Sequence, residues 1–198
     1  VDTFRLNFSH GEHDINATTI AAIRALENEV GVPIGILQDL QGPKIRLGRI
    51  VGGARVLDRH EKVTFLPVET VKDDTCLPLP HPEIFATIEP GHRLFIDDGR
   101  VRLRVTDKQA GGFEAEVIEG GTVSDRKGVT LPDCVLALPV LTEKDRADLE
   151  FGLSQGFDWV AVSFVQKGSD LDEIIRVIDV GAVLISKMDK HYALDEND

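Results

Sequence analysis

Phe4-Arg5-Leu6-Asn7-Phe8-Ser9-His10-Gly11 reads as an apolar strand that runs straight into a polar, cationic turn. Further on, Gln38-Asp39-Leu40-Gln41-Gly42-Pro43-Lys44-Ile45-Arg46 repeats the plan: a strand again ends in a carboxylate, a glycine and two cations. Between them, residues 16–30 carry Ile20, Ile23, Leu26 and Val30 on a helical stripe, and Gly31 is placed to end it. Pro33 then leads into a second strand over 34–38. Strand, helix, strand in this order implies a parallel pair.

The pattern changes near Gly48. From there to about Leu138 the chain shows period-two alternation and turn residues, with no helix expected. Val101, Leu103 and Val105 alternate with arginines, and Phe113, Ala115 and Val117 with Glu114 and Glu116. Asp98-Gly99 and Gly111-Gly112 are hairpin turn signals. Such a run predicts a small β-barrel inserted into an α/β domain. The alternating rhythm resumes at Thr142, which with Asp145 forms a capping-box pattern in which Asp replaces the usual Glu. That helix is expected to stop at Gly156. A strongly apolar strand over 158–165 follows, then a short helix opened by Ser169 and Asp172, then a strand over 182–186.

Composition bounds the function. The 198 residues carry 34 acids against 22 bases, a net charge of −12. That argues against a general nucleic-acid binder, which needs a basic face. No apolar run approaches the length of a membrane span, and no signal peptide opens the chain. Two cysteines only, Cys76 and Cys134, fit a reduced cytoplasmic protein. The start at Val1, almost directly in a strand, reads as a fragment.

The polar residues of the α/β part converge. Arg5, Asn7 and Ser9 end or follow the first strand, and Asp39 ends the second. Ser163, Phe164 and Lys167 end the third, and Lys187 ends the fourth. The carboxyl ends of parallel barrel strands share one face, where barrel enzymes place their active sites. The convergence gathers Arg5, Lys44, Arg46, Lys167 and Lys187 around one carboxylate in an acidic protein. Phosphate-bearing ligands are the natural counterpart. From the pattern alone, the reading is a barrel enzyme acting on a phosphorylated small molecule.

The two opening segments resemble the signature of the pyruvate kinase family, RLNFSHG followed by a D-x-x-G-P-x-I-R turn. The resemblance continues through Ser124-Asp125-Arg126-Lys127-Gly128-Val129, Leu141-Thr142-Glu143-Lys144-Asp145, Ser163-Phe164-Val165-Gln166-Lys167 and Ile185-Ser186-Lys187. It fades in the last dozen residues. It implies an α/β fold: part of a TIM (β/α)8 barrel interrupted by an inserted small β-barrel. Residues 1–47 would begin the barrel, 48–138 form the inserted lid, and 139–198 continue the barrel. It also implies phosphoryl transfer from phosphoenolpyruvate to ADP, giving pyruvate and ATP in glycolysis, in the cytoplasm. The parent is expected to be a homo-oligomer, commonly a tetramer in this family.

The resemblance assigns roles residue by residue. Lys187 matches the lysine that stabilises the transferring phosphoryl group; alone, it would read as a solvated lysine at a strand end. Arg5 would grip substrate phosphate or carboxylate by its fork of donors; alone, it would pair with Asp2 or Glu12. Asn7, Ser9, Asp39 and the backbone oxygen of Leu40 match potassium ligands, although Asn7 and Ser9 alone would read as turn formers. Asn7, His10, Arg46 and Lys127 match nucleotide-side residues, and Arg126 beside Lys127 reads equally as hairpin charge. Asp97-Asp98-Gly99 reads as a turn in the lid.

Two departures matter. Lys44 stands where potassium-dependent members usually carry glutamate; the resemblance implies that its ammonium takes the ion's place, the alternative being that Lys44 points to solvent and the ion still binds, so potassium is in question. Asp189 replaces the glutamate that holds Mg²⁺ or Mn²⁺, and the family's later metal aspartate is absent from these residues. Four strands cannot close an eight-stranded barrel. The chain alone is therefore expected to be inactive, and a non-catalytic fragment that binds phosphate ligands is the alternative. A different barrel enzyme using phosphoenolpyruvate is the other, disfavoured by the inserted lid and the Ser-Phe-x-x-Lys segment.

Overall fold

A computed structural model describes residues 1–10, 12–166, 168–178 and 181–188. The chain divides into two compact units, Val1–Pro43 with Pro139–Asp198, and Lys44–Leu138. In chain order, the first unit opens with β1 (Thr3–Asn7), α1 (His13–Val30) and β2 (Gly35–Asp39). The second unit follows. A short 3-10 turn at Val51–Gly53 leads to β3 (Ala54–Leu57), β4 (Lys62–Leu66), β5 (Cys76–Pro78) and α2 (Pro82–Thr87). Then come β6 (Arg93–Ile96), β7 (Val101–Gln109), β8 (Gly112–Glu119), β9 (Gly121–Ser124) and β10 (Val129–Thr130). The first unit resumes with α3 (Glu143–Ser154), β11 (Trp159–Val165), α4 (Ser169–Ile178) and β12 (Val183–Met188).

The first unit is a parallel sheet in the order β1-β2-β11-β12. It is part of a (β/α) barrel. Side chains alternate across a strand, so each face has its own task. One face is packed under the helices through Ile36, Val160 and Val162, all buried. Ile20 and Ile23 of α1 join Phe8, Ile34, Ile36 and Phe157; Leu149 of α3 and Ile174 and Ile178 of α4 join Leu40, Val160 and Val162. The other face carries Arg5, Asn7, Asp39 and Lys187. Gly31 ends α1 in the left-handed region at φ 67° and donates its amide to the Glu27 carbonyl, a close that glycine adopts without strain.

Two details of the expected α1 need correcting. The helix begins at His13, three residues ahead of the expected start at Asn16, since helical backbone extends over polar residues without help from the core. Leu26 and Val30 are 40% and 52% exposed, so the buried stripe is only Ile20 and Ile23. The capping box at α3 forms: the Thr142 side chain accepts from the Asp145 amide, and Asp145 accepts from the Thr142 amide.

The second unit is built on an antiparallel meander. Its six-stranded sheet runs β10-β6-β7-β8-β4-β5, and β3 pairs with β9. Val101, Leu103 and Val105 face Phe113, Ala115 and Val117 inside it, and the Phe65 and Phe113 rings stack 4.9 Å apart. The β6–β7 turn places Asp97, Asp98 and Gly99 in succession at φ 53°, 55° and 84°. The unit begins at Lys44, ahead of the change in periodicity, because Leu47 donates to the Lys127 carbonyl and Val129 to the Ile45 carbonyl. One expectation fails: α2 is a helix where none was foreseen. Pro82 starts it, and Ile84 with Ile88 just beyond its end are its buried anchors. Cys76 and Cys134 are not joined in a disulfide.

Candidate functional site

Asp39 ends β2 with its side chain buried to all but 4% of the residue's surface. A buried carboxylate must be paired or strongly hydrogen-bonded. Here two cations meet it. One oxygen takes Arg5 Nε at 2.7 Å and a terminal guanidinium nitrogen at 2.5 Å. The other takes the Lys187 ammonium. Arg5 lies two residues before Asn7, which is the register partner of Asp39 on the neighbouring strand. Lys187 stands on β12, beyond β11. Both cations keep exposed surface, 60% for the Arg5 side chain and 41% for Lys187. Each therefore has donors to offer a ligand while Asp39 fixes its position.

The loops around this triad are tightly specified. Asn7 Oδ1 accepts from the Ser9 amide at 3.0 Å, and Ser163 Oγ donates to the Leu40 carbonyl at 3.4 Å. His10 is exposed beyond the same strand end. Phe164 sits in the left-handed region at φ 63°, inside the stretch where the β11–β12 register shifts between Val162 and Val165. Such backbone strain in a bulky residue concentrates at functional sites. Gly42, at φ 68°, lies against the Phe164 ring, where a Cβ would come within 2.8 Å of Cδ2. Lys167 and Asp189, expected on these strand ends, lie outside the described residues.

Of the oxygens assigned to a monovalent ion by the family pattern, those of Asn7, Asp39 and Leu40 already accept protein donors. Among the described residues no three His, Cys, Asp or Glu side chains come together as a metal-binding group.

The second unit holds a separate cationic group. Arg46 bridges to Gly128, and its guanidinium donates to the Arg126 carbonyl at 2.8 Å. Lys127 donates to Asp97 at 2.7 Å, and Arg126, at φ 61°, pairs with Glu69. The Lys127 hydrogen bond holds the Asp97 carboxyl below its ordinary range. Lys44 opens this unit. Sequence reasoning took Asp97 for a turn residue with at most a weak role toward the nucleotide and did not pair it with Lys127. It also missed that Asp145, seen as a helix cap, receives the Gly42 amide at 3.1 Å. Neither pairing has a local signal, since each joins residues far apart in the chain.

Comparison with known proteins places this arrangement. The family model for the pyruvate kinase barrel domain matches residues 1–198. A pyruvate kinase of Agrobacterium vitis is 51% identical over all of this chain, and one of Methylorubrum extorquens 46% identical. Pyruvate kinase 2 of a Synechocystis strain is 39% identical over 98% of the chain. The chain spans 42%, 41% and 34% of the length of these three relatives. With the model matched end to end and the strand-end residues of the motif in place, the chain belongs to the pyruvate kinase family.

Proposed function

We propose that this chain supplies the substrate-gripping part of a pyruvate kinase, an enzyme that moves a phosphoryl group from phosphoenolpyruvate to ADP. The observation that carries the reading is Asp39 binding Arg5 and Lys187 together at the carboxyl ends of parallel strands. Phosphoryl transfer asks little covalent help of the protein; it needs positioning and cations that absorb charge on the moving group. Arg5 presents a planar fork suited to substrate phosphate or carboxylate. Lys187 presents a compact ammonium for charge that builds in the transition state. Asp39 keeps both cations from being drawn away by solvent. Arg46 and Lys127 are the residues of the second unit assigned to nucleotide phosphate.

The divalent ion of the family would take a carboxylate from Asp189 and supply charge neutralisation to the phosphates. The oxygens of Asn7, Asp39 and Leu40, which the family pattern gives to a monovalent ion, already accept protein donors. Assembly of the parent as a homo-oligomer and its residence in the cytoplasm belong to the same proposal; among the described residues no helix is long and apolar enough to cross a membrane.

The test places this chain in the Agrobacterium vitis enzyme in place of its matching segment, and measures pyruvate formation. Asp39→Asn should lower kcat/KM by about a hundredfold or more, since both cations lose their anchor. A chimera that makes no pyruvate, or an Asp39→Asn chimera as fast as its parent, would overturn the reading.

A further inference from the structure

We infer that the opening turns of α3 are the frame that holds the two site loops, with Lys144, Asp145 and Asp148 as positioning residues. None of the three carries a role in the site described above. The inference rests on the reading of that site as a phosphoryl-transfer centre.

Three contacts leave the same helix end. The Lys144 ammonium donates to the Phe8 carbonyl at 2.7 Å, between Asn7 and Ser9. Asp145, fully buried, accepts the Gly42 amide on one oxygen at 3.1 Å. Its other oxygen takes the Thr142 amide and hydroxyl at 3.0 and 2.6 Å. Asp148, 3% exposed, sets the direction of Lys144 by accepting its ammonium at 2.5 Å. The second Asp148 oxygen meets His13 Nε2 at 2.7 Å, at the start of α1, and its backbone carbonyl accepts from Gln38 at 2.5 Å. The His13 ring lies flat on Phe151 of α3, 4.3 Å away.

The loop after β1, the loop after β2 and the first turn of α1 are thus tied to one rigid element. Arg5 and Asn7 precede the first loop, and Asp39 and Leu40 precede the second. A cap needs only Thr142 and Asp145 bonding each other. The extra bonds to Phe8 and Gly42 run from this helix end to loops that precede it by a hundred residues or more in sequence. A site held to a fraction of an ångström needs such support, and a shift of about 1 Å costs about a hundredfold in rate.

Lys144 is half exposed, so Lys144→Met removes the ammonium and keeps the stem without opening a core. In the chimera, we expect hydrogen exchange at the Phe8 and Ser9 amides to quicken about tenfold, as their loop is released. We expect kcat to fall about tenfold or more with KM for phosphoenolpyruvate changed less than about threefold. Lys144→Arg should recover most of both, and Asp148→Asn should move both the same way by less. Unchanged exchange in Lys144→Met and in Asp148→Asn would overturn the frame. So would a rise spread evenly over the unit, or a loss seen in KM alone, which mark ordinary stability. If the parent chimera makes no pyruvate, the phosphoryl-transfer reading fails, and the exchange measurement decides the frame by itself.

Discussion

Lys187 reaches Asp39 across an intervening strand. The two residues stand on β12 and β2, with β11 between them, a span of about 9–10 Å at the usual strand spacing. Only a long side chain closes that gap. The lysine stem crosses the open face of the sheet and delivers its ammonium to the carboxylate that Arg5 also holds. A lysine tethered at its tip has given up rotamer freedom before a substrate arrives, which is the preorganisation that transition-state stabilisation needs.

Lys187→Ala, in the chimera with the Agrobacterium vitis enzyme, should therefore reduce kcat by about a hundred- to a thousandfold. KM for phosphoenolpyruvate should change less than about threefold if, as proposed, Arg5 grips the ground state. Steady-state kinetics checks the split. A rise in KM at unchanged kcat would assign Lys187 to binding alone.

The β2 loop makes a second prediction, on stability. Gly42 has a positive φ, and an added Cβ would crowd Phe164 at 2.8 Å and the Ser163 carbonyl at 3.3 Å. Phe164 is itself in the left-handed region. Gly42→Ala should destabilise the fold by about 1–3 kcal/mol. Urea unfolding measures it, and the same change at Gly52, where nothing lies within 4 Å, should cost only the backbone part of it.

These residues also mark how far the sequence could be read. Residues 3–8 and 34–38 announced parallel strands because apolar side chains there bounded a helix-period stretch, and Gly31 closed the helix by a rule that is local. Thr142 and Asp145 announced a cap for the same reason. The convergence of Arg5, Asp39 and Lys187 on strand ends was legible, because strand ends in a parallel sheet share an edge. Which of the five gathered cations would bond the carboxylate was not, since that depends on which strands are neighbours. The exposure of Leu26 and Val30 was hidden as well: a helical stripe gives the direction of burial and not its length. Short α2 escaped because six residues hold too little periodicity to stand out from the strands around them.

Potassium supplies a third prediction. The Asp39 carboxylate is already met by Arg5 and Lys187, and Asn7 Oδ1 and the Leu40 carbonyl already accept protein donors. A chimera carrying this chain should turn over in potassium-free buffer. Lys44→Glu, which restores the residue usual in potassium-dependent members, should make the rate depend on the ion. A parent silent until potassium is added would defeat the idea.

The second unit should be weakened by acid at identified carboxylates. The Arg93 guanidinium, bonding Asp133 at 2.9 and 2.5 Å, pulls its carboxyl down to about 2. Because the folded value lies below the unfolded one, near 3.9, the pair contributes stability fully present above about pH 4. That contribution is lost as the pH falls toward 2. Asp97 and Glu114 are lowered too, through Lys127 and Lys62, so the unit shares the trend. Asp133→Asn should cost about 1 kcal/mol at pH 7, discounted because Arg93 is half exposed, and only a small part of that at pH 2. Melting curves of the unit at the two pH values test it.

The last prediction concerns what holds Lys127, the residue proposed to meet nucleotide phosphate. Its ammonium rests on Asp97 at 2.7 Å, and Arg100 adds a second, longer contact to the same carboxylate at 3.3 Å. A nucleotide phosphate that takes Lys127 must compete with Asp97 for it. Removing the negative charge while keeping the shape should tilt that competition. Asn is the suitable replacement, since Asp97 stands at φ 53° and Asn tolerates the left-handed region better than most residues. In the chimera, Asp97→Asn should tighten ADP binding by about threefold, and Lys127→Met should weaken it by about tenfold. The gain in Asp97→Asn should vanish when Lys127→Met is added, because the two act on one contact. Calorimetry on the single and double variants reads all three values. A weaker ADP affinity in Asp97→Asn would show that the carboxylate aims Lys127 at the nucleotide and does not compete for it.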